Sequence, residues 1–474
     1  MFRLLVLSFA TATTVMCALG PNNPKLTSQT VNVTNLYNDT CSKCHGVNGE
    51  GGGAGTKTLL TDDKFDAKYD RPYFEAIKVG VPTMGMSEYG STMSDETIWS
   101  LVVHIRELQA KAWRQSRPRT DASKIVHTDL HDYLMEDVVT EGLKTPWAID
   151  WLPDGKMLVT NRPGTMLLID KSGKQTQVEG LPKVVELGQG GLMEVAVHPK
   201  GKWIYLSIAD PKEGNDRQAM TKIVRGQLDG AKWVKEETIF EAGQEFYTGA
   251  GVHFGSKITF DKSGHVFFNV GERGGNMLAQ KLDNPFGKIY RLNDDGSVPK
   301  DNPYVDESPF PGMWSFGHRN PQGLAIDLKG RLWDTEHGPR GGDEVNLIKK
   351  GSNYGWPVVA FSINYNDSPF RTPWPKADED IELPAFRWLP SIGASGLDIY
   401  AGDAFPKWKG DLLAGGLSGA NLTRIRVADS GETSSEELLF GLGRVRDVRV
   451  GPNGYVYVAL NQPDKIIRLR PAKS

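Results

Sequence analysis

The chain has 474 residues, too many for one ordinary domain and enough for a small module plus a large core. Its net charge is -3 and no basic block stands ready to neutralise phosphates, which argues against a nucleic-acid partner. Glycine is abundant (53 residues) and short apolar runs recur throughout, a composition that suits a turn-rich β architecture.

Residues 1–20, MFRLLVLSFATATTVMCALG, carry one early cation, an apolar run and small residues near Ala18. This reads as a secretory signal peptide, too short for a membrane span, and implies a periplasmic or secreted protein. Cys17 lies in TVMC, a poor match to a lipoprotein cleavage box. No later segment is long and apolar enough to span a bilayer. Once Cys17 leaves with the signal, Cys41 and Cys44 are the remaining cysteines, so disulfides contribute nothing to the mature fold.

A small α-helical module is expected over 27–110, opening on CSKCH at 41–45. Two cysteines three apart share one helical turn, from which both reach the vinyl groups of a haem, and His45 then faces the iron. A zinc site would need a second ligand pair that the cysteine count does not supply. A redox dithiol would not require His45, and no βαβ pattern surrounds the motif. Downstream, GVNGEGGGAG is a loop able to run close to a flat ligand. SDETIWSLVVHIREL places Ile98, Leu101, Val102, Ile105 and Leu108 on one helical face, with Ser94 as N-cap. His104 on this helix reads as a surface or packing residue. Between loop and helix, VPTMGMSEYGSTM offers three thioethers. A thioether sixth ligand raises the iron's potential, as an electron acceptor needs.

This segment resembles a class I cytochrome c. In that family the ligand methionine precedes a short loop and a stretch close to LSDEEI, and GMSEYGSTMSDETI matches with Met86 at the ligand position. Met84 stays open as the alternative. Residues 111–132, including KAWRQSRPRTDASK, read as an interdomain linker that keeps the two parts at high effective concentration.

From 133 to 474 an alternating strand, a polar glycine turn and a second strand recur: AIDWLPDGKMLVTN, VAVHPKGKWIYLSI, ITFDKSGHVFFNVG, LAIDLKGRLWDTEH, AFPKWKGDLLAGGL and VRVGPNGYVYVALN. Six occurrences predict an all-β, six-bladed β-propeller, closed by LMEDVVTEGL and KIIRLRP sharing one blade. The overall class is therefore multi-domain, all-α followed by all-β. Charged segments lie between these strands: GAGVHFGSKITF, NVGERGGN, SFGHRNPQG, TEHGPRGGDEVNLIKKGSNYGWP and GLGRVRDV. Loops at blade ends converge on a propeller's axis, so they can meet there. Arginines beside a histidine and a carboxylate suit an anionic cofactor and a proton-abstracting base. Taken singly, His253 could be a packed residue, Arg444 and Arg446 blade salt bridges, and Asp343 and Glu344 a solvated loop tip.

Together HRNPQGLA, EHGP and NYGWP stand in the same order and near-identical form as in the soluble, pyrroloquinoline-quinone (PQQ) dependent glucose and aldose-sugar dehydrogenases, which residues 135–470 resemble. The resemblance implies His253 as general base, with Glu272 orienting and charging it where the family usually has Asp. It implies Arg319 and Asn320 near the quinone oxygens, and Gln189 and Tyr365 as further cofactor contacts. Arg444 and Arg446 would bind the quinone carboxylates, and Gly338 and Pro339 would offer carbonyls to a Ca²⁺ that polarises the quinone. Glu344 and Tyr354 match a second, structural calcium position. Ser418, in GGLSGAN, stands where the family usually has Lys. The long insertion of the glucose enzyme after NYGWP is lacking, which leans toward the aldose-sugar branch.

The expectation is an exported quinohaemoprotein dehydrogenase that oxidises a sugar or related alcohol and passes electrons to its own haem c. A downstream acceptor such as a cytochrome or oxidase would follow. Two alternatives are a catalytically silent propeller scaffolding a cytochrome, and a nitrite-reductase-like enzyme with a second tetrapyrrole, which needs eight blades.

Overall fold

The computed structural model describes residues 31–52, 58–60 and 67–472; the expected signal peptide, Cys17 and the end of the glycine-rich loop lie outside them. Among the described residues four α-helices come first: α1 (Val33–Thr40), α2 (Ser42–His45), α3 (Asp70–Val79) and α4 (Asp95–Ser116). Ser94 caps α4 as expected, its hydroxyl accepting from the Thr97 N–H at 3.3 Å, with Asp95 and Glu96 favouring the positive end of the helix dipole. Ile98, Leu101, Val102 and Ile105 are buried with Tyr37, Phe74 and Trp99 in one core.

One expected boundary differs. Helix α4 continues through Lys111–Ser116, six residues into the segment read as linker. Tertiary contact overrides the polar composition there. Trp113 packs against Phe440 of the β region with ring centroids 6.1 Å apart, and the Arg117 guanidinium lies 4.3 Å and 4.7 Å from the two rings.

The β region forms six four-stranded antiparallel sheets among the described residues, so the eight-bladed alternative falls. Five blades are continuous: 146–177, 192–240, 255–316, 321–388 and 394–440. The sixth joins 444–471 to the early strand Tyr133–Val139, which pairs antiparallel with Lys465–Pro471 and closes the ring as expected. In each of the six repeats the polar turn joins the first strand of a blade to its second; Gly155 and Gly454, at φ 84° and 76°, allow the tight reversals.

The first strands of neighbouring blades touch one another around the whole ring and so line its axis. All six carry a register shift against their second strand, at Pro146/Ala148, Leu192/Val195, Gly255/Ile258, Pro321/Gly323, Ala394/Leu397 and Val445/Asp447. A bulge bends a strand and re-aims its side chains, which lets one end of each inner strand present polar groups to the axis.

The helices dock on the rim beside the fourth blade. Phe361, Ile363 and Leu389 join the helical core directly, and Trp374 packs on it. Arg340 donates to both carboxylate oxygens of Glu107 on α4 at 2.8 Å each and to Asp367 at 2.8 Å. Asp367 in turn accepts the backbone N–H of Val33 and Thr34 at the start of α1.

Candidate active site

Inside the axis, Lys257 pairs with Asp447 at 2.6 Å and Glu194 at 2.7 Å, and Arg449 also reaches Glu194. All come from first strands, and Lys257, Glu194 and Asp447 are fully buried or nearly so. Asp150 and Asp398 also act on Arg449, so four carboxylates gather around these two cations on the axis.

The predicted site residues meet nearby. His253 adopts φ 52°, a strained conformation for a non-glycine residue, at the lead-in to the third blade. Its backbone N–H donates to Gln189 Oε1 at 2.8 Å, and its Nδ1 bonds Glu272 Oε1. The other oxygen of Glu272 accepts the Asn276 N–H at 2.6 Å, which fixes the carboxylate. A carboxylate facing Nδ1 holds the proton there, leaving Nε2 as the basic nitrogen. Burial lowers the His253 pKa, the Glu272 hydrogen bond opposes that, and the charge of Arg319 adds to the lowering. The imidazole is therefore neutral at neutral pH, the state a base requires.

Arg319 reaches across to the next loop, donating from Nη1 to the carbonyls of Gly338 at 3.0 Å and His337 at 3.3 Å. Its guanidinium lies 5.1 Å from the Trp356 ring and 5.9 Å from that of Tyr365, which is 69% exposed. Asn320 Oδ1 accepts the Gly255 N–H at 3.1 Å, tying this loop to the His253 strand. Gln322 links Gly255 to Arg446 at 2.8 Å and 3.1 Å. Arg446 sits over the Trp147 ring, and burial pushes its pKa down to about 9.

Three buried nitrogens here lack partners: Nε of Arg319, Nε of Arg446 and Nε2 of His337. His337 is pushed down to about 3 by burial and by Arg319, Arg446 and His253, which also shows how closely the four converge. Unsatisfied donors and a surplus of cations fit an anionic, oxygen-rich ligand such as a quinone carboxylate.

The Gly338–Pro339 loop is buried and held by Asp343, which accepts the Gly338 N–H at 3.0 Å and the N–H groups of Ile392 and Ala394. Asp343 is thus no solvated loop tip. A Cβ on Gly338 would stand 2.1 Å from the Gly341 carbonyl, so the turn requires glycine. Glu344 is not a loop tip either: it faces Glu336 across the strand pair, close to Asp334. His318, Asp334 and Glu336 bring ligand atoms within 4.8 Å of one another, all buried, and both Asp334 oxygens lack a hydrogen-bond partner. Burial, then the neighbouring Glu336, holds the carboxyls of Asp334 and Glu344 well above the usual range. Such a carboxylate set fits a hard cation. Tyr354 meets it by its ring, stacked on His318 at 4.7 Å, while its hydroxyl is taken up by Leu347 and Lys349. Asp334 and Glu336 escaped sequence reasoning, although their i, i+2 spacing in LWDTE puts them on one strand face.

At the helical end, Cys41 and Cys44 are thiols on one turn with His45 beside them. Burial raises the Cys41 pKa to about 11. Met86 packs against the helical core, whereas Met84 is 65% exposed, which separates the two candidates by position. Gly80, at φ 78°, lets the chain pass the Met86 carbonyl; a Cβ there would approach it to 2.8 Å. Apolar walls with two thiols and a histidine fit a covalently held haem.

Residues 143–468 match the model of the glucose/sorbosone dehydrogenase family, and residues 29–105 match that of cytochrome c oxidase, cbb3-type, subunit III. The chain is 37% identical over 348 residues to aldose sugar dehydrogenase YliI of Escherichia coli, covering 71% of this chain and 92% of that protein. It is 33% identical over 254 residues to quinoprotein glucose dehydrogenase B of Acinetobacter calcoaceticus, covering 47% and 52%. Among solved structures, the PQQ-bound aldose sugar dehydrogenase of Streptomyces coelicolor superposes with a TM-score of 0.57 at 27% identity, covering 71% of this chain and 98% of that one.

Proposed function

The chain belongs to the glucose/sorbosone dehydrogenase family, with a cytochrome c domain ahead of the propeller, and from that premise we propose that it is an exported quinohaemoprotein dehydrogenase. It oxidises an aldose sugar or related alcohol by hydride transfer to PQQ, and the electrons go on to haem c and a downstream acceptor. The bound quinone supplies the hydride acceptor; the chain supplies the rest. His253 Nε2 takes the hydroxyl proton, and Glu272 holds the imidazole in the right tautomer and stabilises it once charged. Arg319 and Asn320 would bind the quinone oxygens with Gln189 and Tyr365 beside them, and Arg444 and Arg446 would hold its carboxylates. The carbonyl of Gly338, which also accepts from Arg319, and that of Pro339 would offer oxygens to one calcium ion, and Asp334 and Glu336 with the facing Glu344 would suit a second, structural one. Cys41 and Cys44 would hold the haem through thioether bonds, and His45 and Met86 would ligate its iron, which supplies the one-electron acceptor.

The observation that carries this reading is the buried His253–Glu272 pair set among cations whose donors lack protein partners. The test is the full-length haem protein supplied with PQQ and Ca²⁺, screened with aldoses and followed at the haem absorbance. The His253→Ala variant should lose about 10²–10⁴-fold in turnover while keeping its haem spectrum. Retained turnover would remove the base role, and a silent wild type would favour the scaffold alternative.

A further inference from the structure

A cavity of about 720 Å³ lies between α4 and the propeller, and both domains wall it. The propeller contributes Gly338, Pro339, Ser418 and Arg444, residues of the proposed quinone and calcium surroundings and their neighbour. The cytochrome domain contributes Glu107, Lys111 and Arg114, at i, i+4 and i+7 on one face of α4.

The charges on this wall do not balance. Glu107 is its carboxylate, and both of its oxygens are bound by Arg340 at 2.8 Å. The side chains of Lys111 and Arg444 make no hydrogen bond or ion pair among the described residues. The acid whose charge reaches Arg114 is Glu437, which already pairs with Arg117 and accepts from Asn421. Ser418, on the propeller side, is uncharged. The net charge of this wall is therefore positive and supplied from both domains.

We propose that Lys111 and Arg114 bind a carboxylate of the quinone, so that the cytochrome helix completes the cofactor pocket of the propeller. This rests on the function proposed above and adds to it residues from outside the propeller. A cation cluster without a protein anion gains most from a ligand that brings its own carboxylates. The cavity borders Gly338, Pro339 and Arg444 and its wall does not include His253, which assigns it to the cofactor rather than to the carbon being oxidised. The docking contacts of Arg340 with Glu107 and Asp367 hold the helix face at this distance, immediately after Pro339 in the chain.

The test is calorimetric titration of PQQ, with Ca²⁺ present, into the full-length haem protein freed of quinone. In Lys111→Met/Arg114→Met the dissociation constant should rise about tenfold or more, the effect of losing charge-assisted hydrogen bonds. The haem spectrum should not change. Adding Ser418→Lys to that variant, which returns a cation from the opposite wall, should recover part of the affinity. Lys111→Met alone, at an exposed position, should give a smaller loss in the same direction and guards against misfolding of the double variant. A wild type that binds PQQ and a variant that binds it equally well would overturn this inference alone. A wild type that does not bind PQQ would overturn the function proposed above and this inference with it.

Discussion

The two domains bury their apolar side chains in different ways. The propeller packs blade against blade in a closed ring, so each blade's core is completed by the next. The helical domain has one core, and part of it belongs to its neighbour: Trp99, fully buried, meets Trp374 at 5.3 Å and Phe361 at 6.1 Å. A domain of that size buries too little surface for much stability alone. It relies on its dock. The contrast teaches that the cytochrome is built as a fitted part of the enzyme, with charge as well as apolar surface spent on its position.

Asp70 is where that arrangement breaks most easily. Buried in α3, it accepts from Arg106 of α4 at 2.9 Å and from Arg387 of the propeller at 2.7 Å. Asp70→Asn leaves both guanidinium groups without their shared anion and should destabilise the helical domain by about 3 kcal/mol. Calorimetric scans should show its transition fall while that of the propeller stays. If the two transitions fall together, the domains unfold as one unit and the contrast is wrong.

Much of this arrangement was legible in the sequence, for reasons that differ by element. CSKCH announces itself because its chemistry needs those residues at that spacing. Six glycine turns between alternating strands define the propeller because a ring of blades repeats its pattern. Ser94 and the apolar face of α4 follow helix rules that act locally. What escaped depends on contacts distant in sequence. The last turn and a half of α4 looks polar, and only Phe440 reveals why it stays helical. Asp343 sits in GGDE, a stretch that reads as a hydrated loop, yet it is buried and bonds Gly338, Ile392 and Ala394. Asp70 and Arg387 are 317 residues apart, and nothing local marks either as a partner.

His104 sharpens the contrast through pH. Its ring lies 4.8 Å from that of Tyr37 inside the helical core, and burial, aided by the charge of Arg340 and opposed by Asp367, lowers its pKa from 6.5 to about 4. The unfolded chain therefore takes up a proton below pH 6.5 that the folded domain refuses until about pH 4. Stability is full above 6.5 and is lost as the pH falls toward 4, by up to about 3 kcal/mol from this group. His104→Leu should flatten the pH dependence of the helical transition across that window. An equally steep dependence in the variant would place the titrating group elsewhere.

The smallest change tests the propeller's independence at its own site. Glu272→Asp keeps the carboxylate but shortens it by one methylene, and the bond from the Asn276 N–H at 2.6 Å anchors its far oxygen. The remaining oxygen draws back from His253 Nδ1, weakening the contact that holds the histidine's pKa up against burial and Arg319. The base then becomes harder to protonate, so the acidic limb of kcat/KM should move to lower pH, with kcat reduced less than about tenfold. Measured on the full-length enzyme, that shift should come with no change in the helical domain's unfolding, because the pair lies wholly among propeller residues. A limb that stays in place would mean that Glu272 does not set the titration of His253; a limb moving to higher pH would mean that water admitted by the shorter side chain outweighs the lost contact.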